Sequence, residues 1–329
     1  MRPGGQQPET VIGQEIDRQN SSGDYSEVSS LDQLTYTGNE CRVRLTEDIV
    51  MTGAVTVNNG NRLTIDLNGH TLTAAANSQA FRIQNGALTI EDSGSTGVIQ
   101  GSGTVTGNGG AIWMSSNDSN NALTLAGGTI RGFTAKYGAG VSMGNGTFRM
   151  TGGAIRNCSA TGGKADGGGV YVSGGSFEMS GGSIEDCTAY EGAGVKVYPS
   201  SGKTASFSMT GGEIKNCNTN GVSIYAIGGT SEFSMSGGTI EDNGGDGVRV
   251  DAGSAVMSGG SVKGSERYDI YIGSRAALTV KNTQVGGTVL NMGKITGNGS
   301  AKFTGTVENS GSAVAEITAV SYTHLRAHE

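Results

Sequence analysis

The chain has 329 residues, 59 of them glycine, with aromatic content of only 5% and a formal net charge of −7. Glycine at this level beside only 3 prolines excludes a collagen-like repeat, and the steady supply of Val, Ile, Met and Thr excludes simple disorder. An acidic chain without a basic run is not built for nucleic acid, and no apolar run approaches the roughly 20 residues of a membrane-spanning helix.

In chain order, residues 1–28 read as a polar linker or tail without a secretory h-region. Residues 29–42 read as an N-terminal cap, with a short helix or capping turn over Ser30–Leu34 covering the open end of the repeat region. Residues 43–319 hold that repeat. Its early part, RLTIDLNGHTLT at 62–73, AFRIQNGALTIED at 80–92 and STGVIQGSGTV at 95–105, alternates apolar and polar residues between Asn-Gly and Ser-Gly turns. His70 is a turn residue there. GSGTVTG at 101–107 lacks the strand–loop–helix setting of a nucleotide site.

Beyond residue 108 the repeat is explicit. LAGGTIRGF, MTGGAIRNC, MSGGSIEDC, MTGGEIKNC, MSGGTIEDN and MSGGSVKGS start at residues 125, 150, 179, 209, 235 and 257, spacings of 25, 29, 30, 26 and 22. Between them stand GGAIWM at 109–114, GAGVSM at 138–143, GGGVYV at 167–172, GAGVKV at 192–197, NGVSIY at 220–225 and DGVRVD at 246–251. A third segment precedes each block, as SFEM at 176–179 and EFSM at 232–235. Each period thus holds three segments too short for helices, alternating with period 2.

Three strands per coil of about 22–30 residues predict an all-β, right-handed parallel β-helix in which each strand pairs with its equivalent one coil away, about 4.8 Å along the axis. The predicted inward columns are Val170, Val195, Val222, Val248 and Ile270, then Val172, Val197, Ile224, Val250 and Ile272. Phe148, Phe177, Phe207 and Phe233 stack beside Met150, Met179, Met209, Met235 and Met257. Ile130, Ile155, Ile184, Ile214, Ile240 and Val262 complete the third sheet. The Gly-Gly pair after each Met or Leu is read as a tight corner.

Over residues 43–300 these motifs resemble the repeats of bacterial adhesin-like β-helix proteins, including the polymorphic membrane proteins, and more distantly the pectate-lyase-like superfamily. The resemblance implies the solenoid fold and an extracellular or cell-surface setting. It leaves activity open, because the fold hosts lyases, hydrolases and adhesins. The last ten residues, VSYTHLRAHE at 320–329, share nothing with the repeat. They resemble one reading frame of a transposon-end adapter used in DNA library preparation. They are expected to be non-native and to contribute no strand, which removes His324 and His328 from any site.

Cys158, Cys187 and Cys217 fall in register at one turn. Neighbouring strands hold Cβ atoms about 4.8 Å apart, beyond the roughly 3.5–4.5 Å of a disulfide, and three collinear thiols make poor tetrahedral ligands. The reading is a stack of small, partly buried residues, with no metal or cofactor. The outward column Arg131, Arg156, Glu185, Lys215, Glu241 and Lys263 alternates in sign from Arg156 onward and is read as register-fixing cross-strand pairing.

On the outward positions of the Val-x-Val segments, Trp113, Tyr171, Lys196, Arg249 and Tyr271 form the candidate binding face, with Ser142 and Ser223 between them. Aromatic rings beside cationic donors suit stacking on sugars, although Tyr and Trp also favour strands for their own sake. Tyr171 and Lys196 are expected to point to solvent. Asp166 and Glu191 share a register four residues before Val170 and Val195 and are the candidate acid/base pair, since glycoside hydrolysis needs two carboxylates about 5–9.5 Å apart. Acidic residues in Gly-rich turns equally serve conformation.

The function expected is a non-enzymatic, adhesin-like surface module, a monomeric segment of a larger chain that contacts polysaccharide, cell-surface glycans or host and other cell surfaces. The competing readings are a polysaccharide lyase or glycoside hydrolase, and a structural spacer.

Overall fold

The computed structural model describes residues 24–297, 300–310, 312–317 and 321–327. Most of the stretch read as a polar tail, and His328, lie outside them. Among the described residues, strands without helices form a parallel β-helix. In the first sheet Ile112–Met114 pairs with Val141–Met143, which pairs in turn with Val170–Val172, Val195–Val197 and Val222–Ile224, always in parallel and in the predicted register. The second sheet stacks Thr147–Met150, Gly175–Met179, Thr204–Met209 and Thr230–Met235. The third stacks Ala154–Arg156, Ser183–Glu185, Glu213–Lys215, Thr239–Glu241 and Ser261–Lys263. Earlier coils follow the same scheme, as in the ladder from Glu40–Leu45 through Arg62–Asp66 to Ala87–Glu91. In two later coils the first and second strands fuse into the continuous Val248–Met257 and Ile270–Val280, paired across one register shift between Val250 and Ala252.

The core is the set of predicted columns. The stacked methionines and the Val/Ile columns are buried, and the phenylalanine rings lie face to face at 4.6, 4.7 and 5.3 Å. The Gly-Gly corner needs both glycines for different reasons. At the first, a Cβ on Gly152, Gly181, Gly211, Gly237 or Gly259 would sit 2.3–2.5 Å from a carbonyl oxygen of the preceding coil. At the second, Gly153, Gly182, Gly212, Gly238 and Gly260 take φ between +69° and +86°, cheap only without a Cβ. The next corner uses a left-handed Asn157, Asp186, Asn216 or Asp242, at φ 52–54°, whose side chains tolerate that region.

Behind these residues Cys158, Cys187 and Cys217 are free and fully buried rather than partly so, each Sγ donating to the carbonyl of the residue two before it. Where the column changes to Asn243, its side chain accepts from Cys217 N at 3.1 Å and donates to Glu241 O at 3.0 Å. The charged column of the third sheet is in register, with Lys263 on Glu241 at 2.9 Å and Lys215 on Glu185 at 3.9 Å.

Two details differ from the sequence reading or narrow it. Ser30–Leu34 contains no helix: the chain bends there, with Asp32 N donating to the Ser30 hydroxyl and Leu31 buried. Residues 320–329 were expected to add no strand, yet Ser321–Ala327 pairs in parallel with Lys302–Asn309. The physical reason is that an open ladder edge presents unpaired N–H and C=O groups, which an extended backbone satisfies whatever its side-chain pattern.

Because stacked rings fill the interior, Phe207→Ala should lower stability by about 3–5 kcal/mol, whereas Ser208→Ala on the outer face of the same strand should change it by no more than about 0.5 kcal/mol. Urea unfolding of both variants measures the difference.

Candidate functional site

The outward positions of the first sheet are not a flat face. Before each of its strands the chain turns through Tyr137, Asp166 and Glu191, which sit above one another through parallel bridges. The glycines that follow bring this corner close over the strand. Gly167 and Gly192 are left-handed, at φ +67° and +57°, and a Cβ on Gly167 would stand 2.7 Å, and one on Gly192 2.8 Å, from the carbonyl oxygen of Val170 or Val195. After the strands, Tyr198 and Tyr225 occupy equivalent places, with rings stacked at 5.7 Å. The two flanks wall off a cleft of about 450 Å³ whose lining includes Tyr137, Tyr171, Tyr190, Tyr198 and Tyr225 around Asp166, Glu191, Lys196 and Arg249.

The expectation that Tyr171 and Lys196 point to solvent is therefore corrected: they are 9% and 1% exposed. Both project from the outer side of the sheet, but the flanking turns cover them. Tyr171 lies 5.1 Å from the Tyr137 ring, and burial, then the neighbouring Asp166, pushes its phenol well above the usual value, so it stays neutral. Lys196 Nζ donates to Glu191 Oε2 at 2.5 Å and to Ser223 Oγ at 2.9 Å, and lies 5.7 Å from the Tyr225 ring centre. A buried ammonium is tolerable only with such a partner set.

Arg249 is held as firmly. It makes a bidentate pair with Asp251 at 2.8 and 2.7 Å and a third bond to Asp246 at 3.0 Å. Burial works against its charge, but these carboxylates outweigh burial and hold its pKa above the ordinary guanidinium value. Asp166 has the opposite balance. Burial raises its carboxyl pKa and Glu191 adds to this, against the pull of Lys196, and Oδ1 is buried without a hydrogen-bond partner.

The structure divides the predicted face. Tyr171, Lys196 and Arg249 join the two candidate carboxylates in the cleft. Tyr271 lies outside its lining, its ring centre 3.9 Å from the Arg249 guanidinium. Trp113 is two coils from Tyr171, separated by the Ser142 strand, and borders a different shallow depression with Gln79, Arg82 and Gln84. Sequence reasoning passed over Tyr137, Tyr190, Tyr198 and Tyr225. Three of these were signalled: Tyr137 stands four residues before Val141, the offset that picked out Asp166 and Glu191, and Tyr198 and Tyr225 each directly follow a first-sheet strand.

Among the described residues no group of three or more His, Cys, Asp and Glu could hold a metal ion, and no helix is long and apolar enough to cross a membrane. The family described as right handed beta helix region matches residues 120–285, the stretch that contains the cleft. No curated protein and no solved structure matches the chain.

The imbalance at Asp166 has a pH signature. Its raised pKa means that the folded chain holds this proton more readily than the unfolded chain. The stability linked to the group is then full below the ordinary aspartate value and declines as pH rises through the raised one. Asp166→Asn, neutral throughout, should match the native chain in strong acid and exceed it in stability at neutral pH. Urea midpoints measured across pH for both proteins check the sign.

Proposed function

The chain belongs to the right-handed β-helix family, and from that starting point we propose that it is a glycan-binding module of an extracellular or cell-surface protein, with the tyrosine-walled cleft as its binding site. The observation that carries this reading is the convergence of five tyrosines from successive coils on one cleft with polar groups at its floor. Aromatic faces supply apolar area for sugar rings while phenol hydroxyls and charged groups meet their hydroxyls. The backbone beneath is a hydrogen-bonded ladder, so the rings are held in place before a ligand arrives, which lowers the entropy lost on binding. Tyr190, at 57% exposed, stands at the rim.

One observation favours a second reading, hydrolysis of the bound glycan. Asp166 and Glu191 face the same cleft from adjacent coils, the first with a raised pKa and the second held by Lys196, the asymmetry that a general acid and a base require. The binding reading stands ahead because it needs only the rings and the polar floor.

A polysaccharide array followed by calorimetry on any hit tests both. Tyr190→Ala with Tyr198→Ala should weaken binding by about tenfold or more while leaving the fold intact, because both rings lie outside the core. Release of new reducing ends that vanishes in Asp166→Asn would replace the binding module with a hydrolase. Silence in every assay would leave a spacer.

A further inference from the structure

The charges lining the cleft are unevenly committed. Both of its inner cations are taken: Lys196 by Glu191 and Ser223, and Arg249 by Asp251 and Asp246. Lys164 is exposed at the edge of the cleft, where solvent and salt screen it. The one buried polar atom of the lining that lacks a partner is an acceptor, Asp166 Oδ1. A carboxylate entering here would find no unengaged inner cation and would face both Asp166 and Glu191. A hydroxyl or ammonium group would instead supply the missing donor.

Resting on the glycan-binding reading above, we propose that the cleft takes sugar units that present hydrogen-bond donors and carry no carboxylate, and that Asp166 is the residue that discriminates against uronates. The raised pKa of Asp166, set first by burial and then by the neighbouring Glu191 charge against the pull of Lys196, agrees with this. Glu191 has a different part. By neutralising Lys196 it withdraws the cation that would otherwise attract an acidic chain. Like charges brought together in a partly desolvated site disfavour the wrong partner, and specificity arises from that repulsion as much as from attraction.

The test compares three matched hexasaccharides by calorimetry on the full chain at neutral pH: β-1,4-linked glucose, β-1,4-linked glucosamine and α-1,4-linked galacturonate. The glucose or the glucosamine chain should bind at least about tenfold more tightly than the galacturonate chain, the effect expected of one uncompensated unit charge at surface dielectric. The arm that binds better tells whether the donor is hydroxyl or ammonium. Asp166→Asn should raise galacturonate affinity and narrow the ratio. Glu191→Gln, which frees Lys196, should do the same by a separate route, so the inference stays testable if one variant fails to fold, as judged by its β-sheet circular dichroism. Equal or tighter binding of galacturonate by the native chain, or a ratio unmoved in both folded variants, overturns the selectivity while leaving glycan binding intact. Binding of none of the three hexasaccharides, with no hit on the polysaccharide array, overturns the glycan reading itself.

Discussion

Every feature of this molecule depends on the ladder of backbone hydrogen bonds between equivalent residues of successive coils. Strands about 4.8 Å apart leave no latitude along the axis, so each inward side chain must accept its own kind, or something close to it, immediately above and below. Phenylalanine therefore stacks on phenylalanine, methionine on methionine and thiol on thiol. The Gly-Gly corners follow from the same spacing, because a Cβ there would meet the carbonyl of the coil beneath.

The ladder that constrains the strands leaves the turns free in length. Since a strand pairs with its equivalent whatever loop intervenes, insertions accumulate at the corners without disturbing register. The cleft is a product of this freedom. Turns before the first-sheet strands carry Tyr137, Asp166 and Glu191, the positions just after them carry Tyr198 and Tyr225, and together they raise walls over what would otherwise be an open sheet. Lys203 ties one such turn back across earlier coils by donating to the carbonyls of Ser116 and Gly144.

Charge is handled differently on the two sheet faces that bear it. On the third sheet, acidic and basic residues alternate between coils and remain partly exposed, where pairing adds little to stability and chiefly disfavours misregister. Over the first sheet Lys196 and Asp246 are covered, and each inner cation is bound by carboxylates. Burying Lys196 at 1% exposure is costly without Glu191. The same cleft leaves Asp166 Oδ1 without a hydrogen-bond partner, the observation on which the proposed selectivity rests.

The sequence by itself determined the coil, the strand register, the inward columns and the pairing of Asp166 with Glu191, because period-2 alternation and a recurring Met-x-Gly-Gly corner are local properties that the ladder copies from coil to coil. It could also assign Tyr171, Lys196 and Arg249 to one outward column. What it could not show is whether outward means exposed. That depends on where turns of unequal length fold back over the sheet, which no residue pattern within a strand encodes. Only the tertiary structure decided that Lys196 is buried against Glu191, that Trp113 and Tyr271 stand apart from the cleft, and that tyrosines from separate turns converge on it. The pairing of Ser321–Ala327 has the same origin: an open sheet edge recruits backbone, and backbone hydrogen bonding is blind to the side-chain pattern from which the sequence is read.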